Sequence, residues 1–116
     1  MTLPHVNAGK LRALASTGAA RSKVVPDLPT VAEAALPGYE ANEWFGAFAP
    51  AATAGDVVRT LNITIRGIFN AADVQQQFAG QGAEIIDMDV AAFSNFVKNQ
   101  IAKWMKVVKD AKIQTE

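Results

Sequence analysis

Only three short stretches of this 116-residue chain read as β-strands, and they limit its fold most tightly. Residues 10–17, Lys-Leu-Arg-Ala-Leu-Ala-Ser-Thr, alternate Leu11, Ala13 and Ala15 with other residues after the turn Asn7-Ala8-Gly9. Leu14 breaks the alternation, so this strand is expected to be buried largely on both faces. Residues 42–50, Asn-Glu-Trp-Phe-Gly-Ala-Phe-Ala-Pro, are aromatic and small and are closed by Pro50. Ala83-Glu84-Ile85-Ile86 is the third and shortest. A sheet of three such strands has edges that need cover or a partner.

Four helical stretches separate and follow these strands. Thr30 caps the first, with Glu33 three residues on, and Pro37-Gly38 ends it. Thr53 is the expected cap of the second, with Asp56 in its first turn. Val57, Val58, Leu61, Ile65, Ile68 and Phe69 recur at helical spacing as far as Asn70. The third runs over 72–80, with Val74 and Phe78 at i,i+4 and Gly80 or Gly82 as its stop. Asp89 caps the last, over 90–110, whose stripe runs from Phe93 and Phe96 to Trp104 and Val108. The order β-α-β-α-α-β-α predicts an α/β fold, a small sheet of about three short strands flanked by about four helices. Residues 1–116 are read as a single, incomplete domain.

Composition excludes several functions. Eleven Lys and Arg balance eleven Asp and Glu, with a pI near 6.6, so nothing marks a nucleic-acid partner. With no cysteine and one histidine, His5, no metal centre and no cofactor are expected. A Ser-His-Asp arrangement would rest on His5 near the terminus, and no Gly-rich phosphate loop follows a strand, so no enzyme is expected. No apolar run approaches the roughly 18–20 residues that span a bilayer. Thr2-Leu3-Pro4-His5 shows neither the basic nor the apolar region of a signal peptide, so the chain as written is expected in the cytoplasm.

Gly9-Lys10-Leu11-Arg12-Ala13-Leu14-Ala15 resembles a strand of the Bug-type, TctC-like solute receptors that serve tripartite tricarboxylate transporters. The resemblance continues in order through Arg21-Ser22, then Pro26-Asp27-Leu28-Pro29-Thr30-Val31-Ala32-Glu33-Ala34, then Leu36-Pro37-Gly38-Tyr39-Glu40. It includes Trp44-Phe45-Gly46-Ala47-Phe48-Ala49-Pro50-Ala51, Leu61-Asn62, Gly82-Ala83-Glu84 and the run from Ile101 to Lys109. The loop Ala51-Ala52-Thr53-Ala54-Gly55-Asp56 departs from the family's usual Ala-Gly-Thr-Pro, and Asp87-Met88-Asp89-Val90 from its Thr/Ser-Pro-Glu-Glu.

The resemblance covers the C-terminal third of the family's chain. It implies part of a type II periplasmic-binding-protein-like fold, in which a small carboxylate lies in a cleft between two lobes. It also implies membrane permease subunits as partners and the periplasm as the place of work. A third of such a receptor presents only part of one cleft wall, so this chain alone is expected to bind weakly or not at all. The alternative is a self-assembling fragment with no ligand, a homo-oligomer formed through its exposed apolar surface.

Four residues are candidates for the cleft wall. Trp44 and Phe45 offer aromatic surface, and Gly46 lets a ligand approach the backbone; the same residues also suit a strand core. Thr17, beside Ser16, ends a predicted strand, where α/β sheets place ligands and where loop caps also occur. Elsewhere structural readings serve: Asp27 and Thr30 as turn and cap, Glu40 and Glu43 as solvated carboxylates, Asp89 as a cap beside Asp87. Lysines 98, 103, 106, 109 and 112 read as a solvated helix face.

Overall fold

Helix ends in this chain follow local chemistry closely. In the computed structural model, which describes residues 2–114, an unexpected first helix, α1 (Leu3–Asn7), runs into the expected turn at Asn7-Ala8-Gly9. Proline at its start costs no hydrogen bond there, and Gly9 closes it at φ 69°. The Lys10 N–H reaches the His5 carbonyl at 2.9 Å and the Gly9 N–H that of Val6 at 2.9 Å, the paired bonds of a Schellman turn.

Helix α2 (Val31–Ala34) starts at the expected capping box. Thr30 Oγ1 accepts the Glu33 N–H at 3.1 Å, and Glu33 Oε2 accepts the Thr30 N–H at 3.2 Å. Pro37 and Gly38 (φ 82°) then turn the chain, with the Tyr39 N–H on the Leu36 carbonyl at 3.0 Å.

Helix α3 (Gly55–Phe69) begins at Gly55, where the Ala54 carbonyl takes the Val58 N–H; Thr53 lies one residue too far out to be the adjoining cap. Helix α4 (Ala72–Gly80) stops at Gly82 (φ 79°) through a second Schellman turn. A Cβ on Gly82 would stand 3.1 Å from Leu3 Cβ, so this glycine serves both the turn and the packing on α1. Helix α5 (Val90–Asp110) is capped by Asp89, whose Oδ1 accepts the Ala92 N–H at 2.7 Å.

The expected sheet is absent, and the α/β assignment is corrected accordingly. Among the described residues the sole β-type contact is one parallel bridge between Ser16 and Thr30. Arg12 to Ala15, Phe45 to Ala47, and Ile85 and Ile86 make no backbone–backbone hydrogen bond to another described residue. A helix completes its hydrogen bonds within its own segment, whereas a strand needs a neighbour running beside it. The neighbour met by Ser16 is the cap of α2, and the chain turns helical at Val31, so no ladder can continue.

Two compact units result: Met1–Ala51 with Gly67–Ile86, and Ala52–Arg66 with Asp87–Glu116. In the first, Phe69 and Phe78 meet edge to face at 5.6 Å. Glu84 Oε1 there accepts from Ser22 Oγ at 2.5 Å and from the Lys23 N–H at 2.9 Å, tying the segment after α4 to the loop before α2. In the second, Phe93 and Phe96 stack at 6.4 Å. Arg66 holds Asp87 through two bonds, 2.5 and 2.8 Å, and Asn62 Nδ2 donates to the Met88 carbonyl at 3.2 Å. These bonds fasten α3 to the segment that leads into α5.

Neither unit encloses a hydrophobic core. Among the described residues Thr30 alone is buried, at 1% exposure, and no apolar residue is. The accessible surface is 9187 Å². A folded protein of this mass exposes about 6,100 Å², and the same chain cut into two separate globules only about 7,300 Å².

Candidate functional site

Ser16 anchors the neighbourhood of the predicted cleft residues. Its N–H donates to the Pro29 carbonyl at 2.9 Å, and its carbonyl accepts from Val31 at 2.8 Å. Both bonds flank Thr30, so the cap of α2 also holds the end of the 10–17 segment. Thr17 follows, exposed, and its carbonyl accepts the Ala41 N–H at 3.0 Å. That bond brings Thr17 to the start of the segment carrying Trp44, Phe45 and Gly46. Trp44 is half-buried, Gly46 is exposed, and Phe45 has 83% of its surface in solvent.

Two further residues belong here. A Cβ on Gly18 would lie 2.9 Å from the Ala20 carbonyl oxygen and 3.7 Å from Asn42 Oδ1, so only glycine fits this close turn. Asn42 Nδ2 donates to Glu40 Oε1 at 3.2 Å. No motif marked Gly18 or Asn42, because the proximity arises from the Thr17–Ala41 bond, which joins residues distant in sequence. Ser16 Oγ is buried without a hydrogen-bond partner among the described atoms. Around it the patch offers the exposed Thr17 with its hydroxyl, the Asn42 amide, backbone groups and the exposed aromatic face of Phe45. That set can accept a neutral or anionic ligand by hydrogen bonding and stacking.

Charged side chains pair within each unit. Arg21 Nε donates to Glu33 Oε2 at 2.8 Å, and Arg21 also reaches the Pro26 carbonyl at 3.3 Å. The Arg21 bond holds the Glu33 carboxyl below its ordinary value of 4.5, with the Thr30 N–H adding to the effect. In the second unit, Arg66 lowers the Asp87 carboxyl in the same way, so Asp87 is an ion-pair partner. Lys106 pairs with Asp110 one turn on along α5. Among the described residues no three His, Asp or Glu side chains converge as metal ligands, and no helix is long and apolar enough to cross a membrane. An open apolar groove of about 730 Å³ runs along the C-terminal half of α5 past Ile101, Trp104 and Met105. None of Thr17, Trp44, Phe45 and Gly46 lines it.

Residues 1–113 match the family described as the tripartite tricarboxylate transporter family receptor. Protein BugT of Bordetella pertussis is 33% identical over 108 residues, which cover 93% of this chain and 33% of BugT. Among solved structures, R. palustris Rpa4515 with adipate superposes with a TM-score of 0.82 at 35% identity, over 96% of this chain and 37% of that one. The periplasmic binding protein BugD gives a TM-score of 0.85 at 29% identity, over 99% of this chain and 39% of its own. The chain thus spans a third to two fifths of the length of these three relatives. A match along nearly its whole length, in sequence and in backbone, makes this chain a member of the tripartite tricarboxylate transporter receptor family.

Proposed function

We propose that this chain is the C-terminal third of a non-enzymatic solute receptor of a tripartite tricarboxylate transport system, and that it supplies part of the wall of a cleft for a small carboxylate. Thr17, Trp44, Phe45 and Gly46 form that wall. One observation carries the reading: the chain shares its backbone and about a third of its residues with a protein solved with adipate, a dicarboxylate. The chemistry of the patch agrees with it. Hydroxyl, amide and backbone donors can hold a carboxylate without a buried cation, and an aromatic face can cover the alkyl portion. The assembled receptor works in the periplasm and hands its ligand to membrane permease subunits.

Alone, the chain holds one wall of the cleft and closes on nothing. Calorimetric titration of the 116-residue chain with adipate and shorter dicarboxylates is expected to give no heat at micromolar concentrations. A sub-micromolar dissociation constant would overturn the partial-wall reading.

A second reading concerns the chain by itself. With no apolar residue buried among those described, the free chain self-associates into a homo-oligomer. Light scattering at micromolar concentration tests this, and a monodisperse monomer counts against it.

A further inference from the structure

We propose that the lysine face of α5 is a docking surface for an anionic phospholipid bilayer. The inference goes beyond the receptor reading, and neither a ligand nor a permease enters its test.

The first support is a charge asymmetry that the zero net charge conceals. Residues 98–112 hold Lys98, Lys103, Lys106, Lys109 and Lys112, five of the chain's eleven basic residues, and a single acid, Asp110. The rest of the chain therefore carries six basic residues and ten acidic ones. Asp110 pairs with Lys106, whose side chain is still 77% exposed. Lys98, Lys109 and Lys112 are exposed and have no ion-pair partner among the described residues.

The second support is placement. At helical spacing Lys98, Lys106 and Lys109 fall within about 80° of one another, on the side of α5 away from Phe93, Phe96 and Trp104. An amphipathic helix keeps its polar side outward whatever its apolar side packs against. Neither the helix dipole nor solvation accounts for this face. The dipole favours cations only within the last turn, so it covers Lys109 but not Lys98 or Lys103. A merely solvated face mixes its charges, whereas Lys103 and Lys106, and Lys106 and Lys109, stand three residues apart, where like charges repel. Lys112, just past the helix end, holds φ 52°, a left-handed conformation that glycine takes more readily.

The third support identifies the partner. The face holds five lysines and no arginine. Protein interfaces enrich arginine and deplete lysine, because arginine's planar fork pairs with acceptors in fixed positions. Lysine is a flexible point charge, and a cluster of this size answers to the charge density of anionic lipid headgroups. From Lys98 to Lys109 the helix runs about 17 Å, so the charges follow an extended surface and do not converge on one headgroup.

The test is co-sedimentation of the 116-residue chain with two vesicles, pure phosphatidylcholine and a three-to-one mixture of phosphatidylcholine with phosphatidylglycerol. Partitioning onto the mixed vesicles should be at least tenfold stronger. It should be lost at about 1 M salt, where the Debye length is about 3 Å. Apolar adhesion of the free chain would show equally on both vesicles.

Each lysine at such a surface contributes about fivefold, so Lys98→Gln with Lys109→Gln should weaken partitioning about 25-fold. Both side chains already meet water, so circular dichroism should not change. Lys10→Gln with Arg12→Gln removes the same charge from exposed residues of the first unit and should weaken partitioning less than twofold. Equal partitioning onto both vesicles overturns the inference, as do equal losses in the two double variants. A chain that ignores the vesicles and binds poly-glutamate also overturns it, and assigns the face to an acidic protein.

Discussion

Replacing Thr30 tests how this small structure holds its candidate site. Thr30 is 1% exposed, caps α2, and sits between the two hydrogen bonds that hold Ser16. Thr30→Ala removes a cap worth about 1 kcal/mol and a buried methyl worth about 0.8 kcal/mol. The combined loss of about 1.8 kcal/mol is roughly a 20-fold shift in local opening. Amide exchange of Ala34, Ala35 and Leu36, whose N–H groups bond to Thr30 and Val31, reads that opening directly. The Ser16 amide, bonded to Pro29, should accelerate with them, because the same residue holds both elements. Thr30→Ser keeps the hydroxyl and should cost about 0.8 kcal/mol, whereas Thr30→Val keeps the shape and should cost about 1 kcal/mol. Exchange in Thr30→Val equal to the unmodified chain would refute the capping account. Acceleration at α2 with none at Ser16 would refute the coupling to Thr17.

Three further expectations concern the cap of α5 and the exposed ion pairs. Asp89→Ala should fray the first turn of α5 at a cost of about 1 kcal/mol, seen as faster exchange at Ala92, while Asp89→Asn keeps most of the cap. Acid should loosen the chain through Glu33 and Asp87: both carboxyls lie lower when folded, so their contributions are complete above their ordinary values of 4.5 and 3.8 and vanish as pH falls through the folded values. Both are exposed, so salt should shrink the effect. Arg21→Gln should bring the Glu33 carboxyl back towards 4.5 by carbon NMR, and an unmoved titration would contradict the assigned cause.

The candidate site was half legible in the sequence. Trp44, Phe45 and Gly46 stood out by residue type and by family resemblance, and Thr17 by its place at the end of a predicted strand. The Thr17–Ala41 bond and the lone hydroxyl of Ser16 did not, since each depends on residues far apart in the chain meeting, and no residue pattern marked the close local turn of Gly18 on the Ala20 carbonyl. Helix α1 went unread although Pro4 lies in its first turn and Gly9 just past its end, because five residues show no apolar period.

What the sequence by itself determined are the positions of α2, α3, α4 and α5 and most of their ends. Thr30 with Glu33, Gly82 and Asp89 act within a turn of their own residues, and helical bonds close within the segment. Tertiary structure decided whether residues 10–17, 42–50 and 83–86 pair. Their apolar pattern is that of strands, but a strand's hydrogen bonds belong to its neighbour. Among the described residues the neighbour of Ser16 is a helix cap, so the pattern stays and the sheet does not form.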